Sequence, residues 1–107
     1  MILDSANKRF SKDTTVDDIR QALEDVSGRG EFLILSKSPS EFIQIAGEGE
    51  GPFLMEYKEA NLVHKAKSEA SLEAVEKAFT SYFNQDGEYK QMFDWEVAEI
   101  KPWWKLW

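Results

Sequence analysis

EFLILSK (31–37), EFIQIAG (41–47), PFLMEYK (52–58) and NLVHKAK (61–67) are four short apolar-rich segments separated by tight breaks. The breaks are Ser38-Pro39-Ser40, Glu48-Gly49-Glu50-Gly51 and Glu59-Ala60. Pro, Gly, Ser and short polar runs turn a chain between strands. Connections of two to five residues require antiparallel neighbours, so residues 31–67 predict a β-meander. Alternation is most readable in the third segment, where Phe53, Met55 and Tyr57 oppose Leu54, Glu56 and Lys58. In the second, Ile43 and Ile45 oppose Phe42 and Gln44. In the fourth, Leu62, His64 and Ala66 oppose Val63, Lys65 and Lys67. The unbroken run Phe32-Leu33-Ile34-Leu35 predicts a more central strand covered on both faces.

Two helices flank the meander. Thr15 is a good N-cap, with Asp18 three positions on to reach back to its amide, and Asp17 and Asp18 suit the positive end of a helix dipole. Val16, Ile19, Ala22, Leu23 and Val26 fall on one face, which predicts a helix from Thr15 to about Ser27, stopped by Gly28 and Gly30. Ser71 caps a second helix over 71–84. Its broad stripe of Leu72, Val75, Ala78, Phe79, Tyr82 and Phe83 makes it the main lid on the sheet. Glu73, Glu76 and Lys77 face water on that reading. Residues 1–13 read as a lead-in with Ile2 and Leu3 tucked against the fold. After Gly87, the alternation of Phe93, Trp95 and Val97 predicts a fifth strand, with room for a short helix at 88–93. The expected fold is a single α+β domain over 1–107: an antiparallel four- to five-stranded β-meander, two amphipathic helices and a Trp-rich tail at 102–107.

At 107 residues the chain suits one domain with its own core. No apolar run approaches the roughly 20 residues of a membrane helix, and MILDSANKRF does not read as a secretory signal. There is no cysteine, which excludes disulfides, thiolate zinc sites and a cysteine nucleophile, and fits a cytoplasmic protein. The formal net charge is −7, with −1 over residues 1–30, −2 over 31–67 and −4 over 68–107. Such a chain repels phosphate backbones and attracts a basic protein partner.

His64 is the one histidine, so a catalytic triad or a histidine-rich metal site would have to be built around it. HExxH, GxSxG and GxxxxGK[ST] patterns are absent. Glu48 and Glu50 lack the oxygen series of an EF-hand loop, and a projecting acidic hairpin suits them better than a calcium site. No metal, cofactor or catalytic residue is predicted. Four tryptophans fall in the last thirteen residues. Trp95 reads as core. For Trp103, Trp104 and Trp107 three placements stay open: packing over the chain's own surface, a homodimer through the tail, or a foreign partner.

The order FIQIAG (42–47), a glycine-acid turn, FLMEYKEANLVHKA (53–66), LEAVEKAFTSYF (72–83), Asp86-Gly87 and DWE (94–96) resembles the Imm1-like immunity proteins of bacterial polymorphic toxin systems. The resemblance covers residues 31–96. It implies a non-enzymatic cytoplasmic antidote that binds and blocks a cognate toxin domain, in many cases a nuclease. Glu56 and Tyr57 occupy the matching Glu-Tyr position. Charge and expected exposure, independently of the resemblance, single out Glu48, Glu50, Asp86, Glu88 and Asp94 as partner contacts. The alternative class is an adaptor or secretion-chaperone-like protein holding a peptide or a second copy on an apolar surface.

Overall fold

The computed structural model describes residues 1–5, 9–10, 14–27, 32–47 and 53–97. Its strands are β1 (Ile2–Ser5), β2 (Arg9–Phe10), β3 (Leu33–Ser38), β4 (Glu41–Gly47), β5 (Phe53–Glu59), β6 (Leu62–Ala66) and β7 (Trp95–Val97). Its helices are α1 (Val16–Ser27), α2 (Leu72–Asn84) and α3 (Tyr89–Met92). The seven strands form one sheet in the order β2-β1-β3-β4-β5-β6-β7, every pair antiparallel. The α+β class and the meander β3–β6 match the sequence reading. The sheet is wider than the four or five strands expected, because the segment read as a lead-in supplies β1 and β2.

β1 pairs with β3 through Leu3↔Leu35 and Asp4↔Ile34, and Leu3 is fully buried. Four residues with one buried apolar position leave too little alternation to read as a strand. α1 then carries the chain back over the sheet. The Thr15 N–H donates to Asp18 Oδ2 at 2.9 Å and the Asp18 N–H to Thr15 Oγ1 at 3.2 Å, the reciprocal capping pair that the spacing predicts. At α2, the Ala74 N–H donates to Ser71 Oγ at 3.2 Å.

Both helices lie on the same face of the sheet, α1 over β1 and β3 and α2 over β4 and β5, and they pack against each other. The core between the layers joins Leu3, Leu33, Leu35, Ile43, Ile45, Phe53 and Met55 to Ile19, Leu23, Val75 and Phe79. Burial of each such aliphatic or aromatic side chain contributes about 1.5–3 kcal/mol. β3 lies inside the sheet but is not covered on both faces. Leu33 and Leu35 are buried, whereas Ile34 is half-buried and Phe32, just before the strand, is 43% exposed. The unbroken apolar run reflects residues at the open face rather than a second covering layer.

Turns set the remaining geometry. Ala60 and Asn61 join β5 to β6 with φ of 53° and 64°, the paired left-handed geometry of a two-residue hairpin. Phe53 and Ala70 exchange two backbone hydrogen bonds of 2.8 Å, which ties the approach to α2 onto the start of β5.

Candidate partner-binding site

α2 ends at Gln85, a left-handed residue whose N–H donates to the Tyr82 and Ser81 carbonyls. This αL ending turns the chain sharply and starts α3 alongside α2. Asp86 locks the turn. The Ser81 hydroxyl donates to Asp86 Oδ1, the Glu88 N–H donates to the same oxygen at 2.9 Å, and the Tyr89 N–H donates to Ser81 Oγ at 2.9 Å. Those two donors, the Ser81 hydroxyl first and the Glu88 amide second, hold the Asp86 carboxyl below its ordinary pKa of 3.8.

An open groove of about 590 Å³ runs between the start of α1, the outer side of α2 and the α2–α3 turn. Val16 and Met92 contribute its apolar lining, and Glu73, Glu76, Asp86 and Glu88 its carboxylates, opposed by Arg20 and Lys77. Arg20 Nε meets Glu76 Oε1 at 3.1 Å, linking α1 to α2, and its Nη1 lies 3.7 Å from Asp17. Lys77 Nζ lies 3.4 Å from Glu73 Oε1 one turn away. All three pairs are solvent-exposed and worth at most about 1 kcal/mol each, so an incoming cation displaces Arg20 or Lys77 at small cost. A second depression of about 370 Å³ shares Glu73, Lys77 and Met92 and extends the groove towards Ala74 and Phe93.

The structure therefore brings together Asp86 and Glu88 of the residues singled out by charge, and adds Glu73, Glu76 and Met92. The first two have a sequence signal, since they sit three apart on the polar side of α2. Arg20 and Val16 have none, because their place depends on how α1 crosses α2. Asp94 is exposed but does not line the groove, and its carbonyl accepts the Lys67 N–H at 2.8 Å. Glu48, Glu50, Trp103, Trp104 and Trp107 lie outside the described residues.

His64 and the Glu-Tyr pair have structural places. Tyr57 is buried, its ring parallel to the His64 imidazole at 4.4 Å and edge-on to Tyr89 at 5.2 Å and Trp95 at 4.7 Å. Burial pushes the Tyr57, Tyr82 and Tyr89 phenols up, so all three stay neutral hydroxyls at physiological pH. Trp95 Nε1–H donates to the Tyr89 carbonyl at 3.2 Å, which ties β7 to α3. Glu56, on the opposite face, accepts from Gln44 Nε2 at 3.1 Å.

Among the described residues no group of three or more His, Asp or Glu side chains is placed to share a metal ion. No helix among them is long and apolar enough to cross a membrane. No protein family matches the chain, and neither a curated protein nor a solved structure is similar enough to count as a match.

Proposed function

We propose that this chain is a non-catalytic protein-binding domain that receives a basic segment of a partner in the α1–α2–α3 groove. The observation that carries this reading is the convergence of Glu73, Glu76, Asp86 and Glu88 beside Met92 and Val16 in one groove. Four carboxylates against two cations make a locally negative channel on a chain of net charge −7. Such a field accelerates association with a cationic partner and disfavours nucleic acid. Neutralisation of a cognate bacterial toxin domain in the cytoplasm is the specific form that this chemistry and the Imm1-like order of motifs support together. On this reading the groove takes a projecting cationic segment of the toxin domain. The adaptor or chaperone alternative would use another surface, the open sheet face where Phe32 and Leu54 are exposed.

The test is affinity capture from the native organism, with the wild-type chain and a Glu73→Lys/Glu88→Lys variant as parallel baits, at low and physiological salt. The reading expects one basic protein retained by the wild type, released as salt rises, lost with the variant, and inhibited in its own activity by the wild-type chain. Equal capture by both baits overturns it.

A further inference from the structure

The sheet face turned away from the helices is complementary to itself. β4 is the middle strand of seven, with three neighbours on each side. Consider a second copy laid face to face and rotated by half a turn about an axis along β4. β5 of one copy then falls over β3 of the other, and β6 over β1. The cross-strand register fixes what meets. Ile2, Ser36, Phe42, Lys58 and Val63 form one continuous row across β1, β3, β4, β5 and β6. Val63 of one copy therefore lies over Ile2 of the other, and Phe42 meets its own counterpart on the axis. Asp4, Ile34, Gln44, Glu56 and Lys65 form the next row, which sets Lys65 over Asp4. Beyond it Ala46 and Leu54 continue the face, with Leu54 48% exposed and Phe32, just before β3, 43% exposed.

Charge points to the same occupant. Among the side chains described on this face, Asp4, Glu56 and Glu96 stand against Lys58 and Lys65, a balance of −1 on a chain whose net charge is −7. This is a surface on which two acidic copies approach without strong repulsion; Ile2 meets Val63 and Phe42 meets its own counterpart, while Ile34 comes over Glu56. We propose that the open sheet face is an isologous interface through which two copies of this chain pair sheet to sheet, with the twofold axis along β4. Five strands about 4.8 Å apart and five residues long give a face on the order of 400 Å² per copy. That is about half the area each partner buries in a standard interface, which places the dimer among weak, concentration-dependent ones. The face lies across the sheet from the acidic groove, so the two surfaces are tested independently.

The chain lacks cysteine, which makes single-site crosslinking unambiguous. Phe42→Cys and Ala46→Cys, both on the axis, are treated with a short bismaleimide beside Glu73→Cys on α2. Sedimentation of the wild type and of Leu54→Lys is followed from about 1 µM to about 1 mM, a range that spans micromolar dissociation. The expected result is efficient homodimer crosslinking through positions 42 and 46 but not 73. The wild type passes from monomer to dimer over that range. Leu54→Lys weakens association at least tenfold with an unchanged circular dichroism spectrum. A monomer at every concentration, or crosslinking through position 73 as efficient as through 42, overturns the proposal and leaves the face to an occupant other than a second copy.

Discussion

The Tyr57 ring lies parallel to the His64 imidazole, centroids 4.4 Å apart and planes 10° from coplanar, across the β5–β6 pair. The same ring receives Tyr89 and Trp95 edge-on, so Tyr57 joins β5, β6, α3 and β7 in one cluster. Tyr57→Ala is expected to cost about 3–5 kcal/mol, the range for truncating a buried aromatic residue. His64→Ala removes one stacked partner and costs about 1 kcal/mol. Urea titration measures both, and equal losses would place the weight of the cluster elsewhere.

Ser81 and Asp86 hold the turn that builds one wall of the groove. Ser81→Ala leaves the Tyr89 N–H without its acceptor and is expected to destabilise by about 1–3 kcal/mol. Asp86 sets an acid limit as well. Its folded pKa lies below the ordinary 3.8, so its contribution is present above that value and is lost as pH falls through the depressed folded value. Asp86→Asn keeps an acceptor oxygen and should flatten this part of the acid unfolding curve. Thermal melts of both proteins between pH 5 and pH 2, a window bracketing the ordinary carboxylate range, read the difference; superimposed profiles would refute the role.

Lys90 Nζ meets Glu59 Oε2 at 2.6 Å and ties α3 to the end of β5. The hydrogen bond to Glu59 raises the Lys90 pKa above 10.5. The pair's contribution is therefore complete below 10.5 and is lost as pH rises through the higher folded value. Both side chains are about half exposed, so Glu59→Gln should cost less than about 1 kcal/mol, and less still at high salt. Denaturant midpoints at low and high ionic strength provide the check.

Ala60 holds a φ of 53°, where a β-carbon is strained. Ala60→Gly is expected to stabilise by about 0.5–1 kcal/mol, the relief exceeding the added freedom of the unfolded chain. A lower melting temperature for the variant would show that the hairpin tolerates alanine without strain.

What was legible in the sequence was local. The Thr15 and Ser71 caps, the α2 stripe and the alternation of β4, β5 and β6 depend on spacings within a few residues, and all appear in the structure. β1 was not legible, because its four residues acquire strand character only by pairing with β3 across the length of α1. The covering of β3 is not legible for a related reason, since an apolar run does not say how many layers surround it. At the site, acidity picked out Asp86 and Glu88. The contribution of Arg20 and Val16 depends on the α1–α2 crossing, which no spacing encodes.

The place of β1 also bears on how the chain is made. Ribosomes deliver it before α1, and its partner β3 emerges only after that helix, so a short apolar strand must wait for the edge it completes. The β3–β6 hairpins have no such delay and are suited to forming first. Until β1 docks, β3 presents the unpaired edge of Leu33, Ile34 and Leu35, a ready template for another nascent chain. Substitutions that weaken β1 would thus be felt less in the finished fold's surface than in its yield, as aggregation during synthesis.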